Sequence, residues 1–462
     1  MALLMKRRWR LQLSPRYWLR RLVFWAGAIL VAAISMGFAR LSELGAGQFS
    51  GTVQHWPWLS VIICPAGLAG IVFLTRRVFP GTEGSGIPQT IAALAMPDQG
   101  QRRKVLSLRI ACGKMLMTVL GLCAGASVGR EGPTVQIGAA IMHSFGGLLR
   151  MHRPDMEKAF IIAGGAAGIS AAFNTPLAGI VFAIEELSRS FEERTSGTVL
   201  TAVIVSGLAS MAVLGNYTYF GRTNALISIE QGWQAVLLCG VFGGLAGGAF
   251  ARLLIQFSRG LPGQAGRWIK THPVIFAALC GLLLAVTGLL SGNNTYGTGY
   301  EQARSLLEGN TDVPASFGLL KLLATLTSYA SGIPGGIFAP SLAVGAGLGA
   351  NLAHFLPAVP LAAVVLLGMT GYFVGVVQTP ITAVVIVMEM TESPAMTLML
   401  LATALVAFAV SRLICPQPLY RALASRFLSA NMRKATKSPA TIKTPAKDGE
   451  ASNPTVPPSA AP

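Results

Sequence analysis

The chain has 462 residues, 52% hydrophobic and only 12% charged, with a mean hydropathy of +0.58. A soluble domain carries about twice that charged fraction, so soluble enzymes and soluble binding modules are excluded. The net charge of +18 does not point to nucleic acid, because residues 1–22 (seven Lys/Arg, no acid) and 421–462 (seven against Asp448 and Glu450) hold +12 of it. Basic ends that flank apolar spans are the mark of cytoplasmic termini next to anionic lipid. No basic stretch is interleaved with aromatic residues as a nucleic-acid surface would be.

The elements follow in chain order. A basic segment, 1–21, precedes an apolar run at 22–37 that follows Arg20-Arg21 and shows no clean cleavage site, so it stays as a first membrane helix. Gly84-Ser85-Gly86-Ile87-Pro88 then breaks the apolar pattern, Lys114 sits inside the apolar stretch 110–123, and Gly129-Arg130-Glu131-Gly132-Pro133 breaks it again. Further runs at 199–214, 274–290 and 396–410 approach the length that spans a bilayer, about 20 residues. Gly336-Ile337-Phe338-Ala339-Pro340 is the third break. From about residue 426 the chain is rich in Lys, Ala, Thr and Pro and is expected to be a disordered basic cytoplasmic tail. The chain is thus an all-α polytopic membrane protein, expected in the cell membrane with both termini in the cytoplasm.

An internal repeat organises these elements. Asn174-Thr175-Pro176 and Gln378-Thr379-Pro380 are each followed by an apolar run and a glutamate, Glu185 and Glu389, at an offset of 204. Gly84-Ser85-Gly86 pairs with Gly297-Thr298-Gly299 at offset 213, and the phrase at 129–133 with that at 336–340 at offset 207. Three matches in the same order divide the membrane part into two halves, 22–220 and 221–425, joined near 216–231. Repeated halves with a site made of broken helices at their interface are common in secondary transporters. The repeat alone leaves open whether the halves are parallel or inverted.

Broken backbone inside a bilayer is tolerated only where protein buries it or it lines a polar cavity. Pro88, Pro133 and Pro340 each end a glycine-rich phrase and open an apolar run, so each phrase reads as a loop turning into a helix. Helix starts that converge offer N–H groups and positive dipole ends to an anion, and partial charges let it leave again. Glycine and proline kinks made for close packing are the alternative for any single phrase.

Glu131 lies at one of these starts. A carboxylate in the bilayer costs about 2.5–3.5 kcal/mol on insertion scales. Desolvation favours its neutral form while the N–H groups of its own helix favour the charged one, so proton exchange is within reach. Such a side chain competes with an anion when ionised and withdraws when protonated; pairing with Arg130 is the structural alternative. Of Glu185 and Glu186, adjacent on one helix, only one can face inward, and Glu186 is the one the repeat does not match (Met390 stands opposite). Lys114 is read either as snorkelling or as raising the positive potential felt by anions. The six cysteines and five histidines form no ligand spacing, so no metal and no cofactor is expected beyond bound chloride. The glycines at 164–168 and 243–248 read as helix packing, and no P-loop, nucleotide fingerprint or catalytic triad is visible.

The phrases GSGIP (84–88), GREGP (129–133) and GGIFAP (335–340), with Pro418-Leu419-Tyr420, resemble the CLC chloride channel/transporter family over about residues 20–425. The resemblance implies homodimers with one anion pathway per subunit. It also implies two inverted halves of tilted, partly broken helices, about 17–18 per subunit. Carried over by motif, Ser85 and Tyr420 offer hydroxyls, and Ile337 and Phe338 backbone N–H groups, to chloride. The backbone of Gly129, Arg130, Gly132 and Ala339 borders the site. Glu131 is the outer gating glutamate and Glu186 the inner one that passes protons to the cytoplasm. Serine in the first phrase resembles chloride-preferring members; Gln89 stands where many bacterial relatives carry an acid. The expected function is exchange of chloride for protons, with a passive chloride channel of the same fold as the alternative. Expected partners are chloride, protons, membrane lipid and a second copy of the chain, with no nucleic acid and no enzymatic reaction.

Overall fold

The computed structural model describes residues 15–149, 151, 153–188, 193–215, 218–223 and 225–437. The first half contains α1 (Pro15–His55), α2 (Ser60–Arg77), α3 (Ile87–Ala95), α4 (Gln99–Arg103), α5 (Leu108–Cys123), α6 (Glu131–Leu148), α7 (Pro154–Phe173), α8 (Pro176–Phe182) and α9 (Glu193–Leu214). The second contains α10 (Ile229–Arg259), α11 (Gly263–Thr271), α12 (Pro273–Leu290), α13 (Tyr300–Leu307), α14 (Phe317–Ala330), α15 (Phe338–Ala353), α16 (Leu361–Val377), α17 (Pro380–Thr391), α18 (Thr397–Ile414) and α19 (Leu419–Lys437). Eight of the described helices are long and apolar enough to cross a membrane, while α15, α16 and α17 are shorter. No strand occurs among the described residues, only two isolated bridges. Large apolar side chains such as Leu208, Val213, Leu405 and Leu413 are exposed, as a lipid-facing surface requires.

The repeat reaches into the packing. Gly138 of α6 and Gly164 of α7 lie so close that neither has room for a Cβ, and the same holds for Gly345 of α15 and Gly368 of α16. These four positions are related by the sequence offsets of the repeat, so the glycines serve close helix contact in both halves. Asn174 and Gln378 end α7 and α16 in the left-handed region, at φ 59° and 58°, which an amide residue tolerates at a helix end. The Thr-Pro that follows starts the next helix, because proline at a first helical position loses no hydrogen bond.

Two carboxylates establish the relative direction of the halves. Glu389, near the end of α17, accepts the N–H groups of Leu177 and Ala178 at the start of α8, at 3.1 and 2.7 Å. Glu185, just beyond the end of α8, accepts those of Ile381 and Thr382 at the start of α17, at 3.3 and 2.6 Å. Each helix end meets the other's start, so α8 and α17 run antiparallel and the halves are inverted.

Two expected boundaries differ. Helix α1 begins at Pro15, inside the segment 1–21 expected to precede the membrane part; residues 1–14 lie outside the described residues. Helix α19 continues through Lys437, past the expected start of the tail at 426, because Ala424, Phe427 and Leu428 pack on the core of the first half. The rest of the expected tail, 438–462, lies outside the described residues.

Candidate anion and proton site

The three glycine-rich phrases converge and are knitted by backbone hydrogen bonds. Gly129 and Gly336 exchange both of theirs, each at 2.7 Å, Gly84 N donates to Ile333 O at 3.3 Å, and Gly335 N to Gly84 O at 3.2 Å. Gly84 and Gly86 sit at φ 70° and 107°, where any other residue would be strained. The loop between them aims Ser85 at the junction. Gln89 holds this loop with both ends of its amide, donating to Glu83 O at 2.6 Å and accepting from Gly86 N at 3.1 Å. A neutral amide does here what a carboxylate could do only in part, since it both donates and accepts.

Ser85 and Tyr420 are each 1% exposed. Their hydroxyls make no hydrogen bond of normal geometry within the protein, although they lie within reach of one another. Buried polar groups are nearly always partnered, so two such hydroxyls at one place describe a slot for a ligand that accepts hydrogen bonds. Ile337 and Phe338 are buried beside them at the start of α15, and the Phe338 ring lies 5.9 Å from that of Tyr420. The N–H groups there belong to a first helical turn, which has no partners of its own.

Glu131 opens α6 and is fully buried. Its carboxylate folds back over Gly129 beside Pro340, near the N–H groups of Arg130, Glu131 and Ala339. Neither carboxylate oxygen closes a hydrogen bond of normal geometry. Arg130 does not bridge to it: the guanidinium turns away to Ala39 O and Glu43 Oε1, both at 2.9 Å, and lies over the Tyr219 ring at 5.7 Å. The carboxylate therefore occupies a position built from helix starts, within the electrostatic reach of Arg130 but not hydrogen-bonded to it. Gly129's own N–H is engaged by Gly336, so its contribution is the close approach of its backbone. A cavity of about 770 Å³ adjoins Arg130 and is lined also by Glu43, Tyr219, Thr298, Tyr300 and Glu301. Through Arg130 it borders the start of α6.

Glu186 lies in the π turn Ala183–Ser188 that extends α8, and is 4% exposed. This turn packs against α3, which in turn packs against α19, and Glu186 is near enough to Tyr420 to interact with it electrostatically. The sequence-derived residues thus come together around Tyr420, which lies within reach of Ser85, Glu131 and Glu186.

Lys114 does not snorkel. Its ammonium is fully buried and donates to Gly84 O at 2.8 Å and to Glu83 O at 3.4 Å, holding the Ser85 loop. Sequence reading missed its counterpart, Lys321, whose ammonium donates to Gly297 O at 2.7 Å, Thr295 O at 2.9 Å and Tyr296 O at 3.4 Å. Lys321 lies 207 residues after Lys114, the offset of the GREGP and GGIFAP phrases, so the repeat itself held the signal. Buried lysines within a membrane commonly pair with backbone carbonyl groups, and here each one fastens a Gly-x-Gly loop of its own half.

A model of the voltage gated chloride channel family matches residues 66–412. The chain belongs to that family. It is 32% identical over 413 residues to an H(+)/Cl(-) exchange transporter, ClcA, of Yersinia pestis, covering 84% of this chain and 83% of the relative. The ClcA of Klebsiella pneumoniae strain 342 is 32% identical over 413 residues, covering 83% and 82%. Among solved family structures, a slow cyanobacterial Cl-/H+ antiporter matches with a TM-score of 0.75 and 25% identity, over 91% of this chain and 100% of that one. A CLC-type fluoride/proton antiporter shares the fold at a TM-score of 0.74 and 22% identity, over 88% and 99%.

The slot makes a direct prediction. Tyr420→Leu removes one hydroxyl donor and the ring that backs it; a hydrogen bond to a charged partner contributes about 1.5–3 kcal/mol. Chloride binding, measured by calorimetry on purified protein, is expected to weaken at least about tenfold, the equivalent of 1.4 kcal/mol.

Proposed function

We propose that the protein is a secondary transporter that exchanges chloride for protons, with Glu131 as gate and proton acceptor and Glu186 as the inner proton carrier. The observation that carries this reading is the fully buried Glu131 carboxylate seated among helix-start N–H groups, while the guanidinium of the neighbouring Arg130 is directed to Ala39 and Glu43. When ionised it takes the place of an anion. When it accepts a proton it loses its attraction for those N–H groups and leaves the place to chloride, so proton and chloride enter in alternation. Binding by partial charges and hydroxyls keeps chloride from being trapped, as conduction requires. The second buried glutamate, also within reach of Tyr420, supplies a proton route that need not share the chloride path. Substantial identity to two exchange transporters supports coupling over passive flow.

Ser85, Tyr420 and the N–H groups of Ile337 and Phe338 would ligate the central chloride, with Gly129, Arg130, Gly132 and Ala339 shaping the outer position. The substrates serve as the only bound ions, and no cofactor is invoked. By the same reading the protein is a homodimer in the cell membrane with one pathway per subunit, both termini facing the cytoplasm.

The test uses purified protein in liposomes with an outward chloride gradient, no proton gradient, and voltage held at zero by valinomycin and potassium. External alkalinisation that depends on chloride supports exchange; chloride efflux without proton movement identifies a passive channel and rejects the proposal. In the same assay Glu186→Gln is expected to lower proton flux about 100-fold, the scale of a lost proton-transfer group, while chloride flux persists.

A further inference from the structure

The segment that carries Glu186 is strapped at both ends to a single helix of the other half. Its start is held by Glu389 of α17, which accepts from Leu177 N and Ala178 N at 3.1 and 2.7 Å. Its end is held by Glu185, which accepts from Ile381 N at 3.3 Å, from Thr382 N at 2.6 Å and from the Thr382 hydroxyl at 2.6 Å. Carboxylate-to-N–H bonds at a helix start are charge-assisted and favoured by the helix dipole. Within a membrane, where an unsatisfied carboxylate is costly, they are strong restraints.

The straps are related by the repeat, but not equal. Ala178 and Thr382 occupy equivalent positions at offset 204, and only Thr382 brings a hydroxyl. The third hydrogen bond therefore falls on the strap adjacent to Glu186. Neighbouring residues on a helix point about 100° apart, since one turn holds 3.6 residues. With Glu185 fixed outward on α17, Glu186 is turned into the buried face toward α3 and Tyr420. The chain is wound as a π turn over these residues, a local geometry often found where a functional side chain is re-aimed.

We propose that Glu185 and Glu389, with Thr382, are positioning residues for proton transfer: their cross-half straps set the orientation of the π turn and so present Glu186 to the interior. This rests on the reading of Glu186 as the inner proton carrier. It assigns the symmetric carboxylate pair to orientation and the unmatched Glu186 to chemistry. It also makes proton transfer in the first half depend on a helix of the second.

Reconstituted full-length Thr382→Val, Thr382→Ser, Glu185→Gln, Glu389→Gln and Glu186→Gln are compared for proton and chloride flux in the zero-voltage assay. A reacting group misplaced by about 1 Å loses up to about 100-fold. On that scale Thr382→Val and Glu185→Gln are expected to lower proton flux about tenfold with chloride flux within about twofold of the parent. Glu389→Gln is expected to act in the same direction, and Thr382→Ser, which keeps the hydroxyl, to preserve the parent's proton-to-chloride ratio. Because the Thr382 hydroxyl does not ionise in this pH range, its effect separates orientation from proton carriage by Glu185, and it decides the matter if a glutamate variant fails to fold. Unchanged ratios in Thr382→Val and Glu185→Gln, with proton flux lost in Glu186→Gln, overturn the straps and leave the inner glutamate standing. Parallel loss of both fluxes overturns them too, as it would mark a role in the fold alone. Proton uptake retained in Glu186→Gln removes the inner-carrier reading itself.

Discussion

Glu131→Gln is expected to leave chloride crossing the membrane while proton flux falls at least about 100-fold, the lower range for removal of a proton-transferring side chain. The geometry explains why these two effects separate. Glutamine keeps the length and shape of glutamate, so α6 still starts at the same place and the backbone exchange between Gly129 and Gly336 is undisturbed. What disappears is the charge that competes for the N–H groups of Arg130 and Ala339, together with the proton-accepting carboxylate at the start of α6. An amide cannot alternate between a form that belongs among those N–H groups and one that does not. Chloride flux should then lose its dependence on pH, and calorimetry should find more chloride bound per subunit, because the position held by the carboxylate becomes open to an anion. Proton uptake that persists in this variant would mean that the proton enters by a route that avoids α6. Arg130 offers no substitute, since its guanidinium is committed to Ala39 and Glu43.

The elements that break were the easiest to read, and for a local reason. Glycine-rich phrases that end in proline before an apolar run read as loops turning into helices, so the helix starts at Ile87, Glu131 and Phe338 could be placed from their neighbours alone. The internal repeat added long-range information that composition lacks, and it singled out Glu186 as the residue without a counterpart. Other contacts were not legible because they join distant residues through backbone atoms. Glu185 meets Thr382 across 197 positions, and the sequence shows an acid and a helix start without showing that one caps the other. Lys321 was concealed differently: a lone lysine in an apolar run reads as a lipid-edge residue until the Lys114 offset is applied to it. Gln89 shows the limit of reading departures, since the sequence shows only that an amide stands where many bacterial relatives carry an acid, while the structure shows that amide closing the Ser85 loop. Helix α19 outran its expected end because Phe427 and Leu428 find partners in the first half, contacts that sequence periodicity at a basic terminus does not reveal.

Gly132→Ala is expected to impair transport strongly through a single added methyl group. A Cβ at this position would run into Ser85 Oγ, and it would lie 2.9 Å from the Ser85 carbonyl oxygen and 3.2 Å from Gly336 Cα. None of these is the far end of a flexible side chain. Ser85 is held by the Gly84–Gly86 loop, which Gln89 and Lys114 fasten, and Gly336 is locked to Gly129 by two hydrogen bonds. The methyl therefore parts the first phrase from the third, moving the serine hydroxyl off the slot proposed for chloride and separating the helix starts that frame it. Overpacking of a tight interior costs about 1–3 kcal/mol, and loss of one donor to the anion adds about 1.5–3 kcal/mol to the cost of binding. Chloride turnover in liposomes should thus fall at least about tenfold by the usual conversion of 1.4 kcal/mol per decade. Gly147→Ala on the same helix is the matched control, because a Cβ there meets nothing within 4 Å. Alanine is also favoured over glycine in a helix by about 1 kcal/mol, so that variant should transport normally and melt no lower than the parent. If both alanine variants transport alike, the convergence of the three phrases is not what admits chloride. If only Gly132→Ala fails, the pathway runs between Ser85 and Gly336, where the two inverted halves touch.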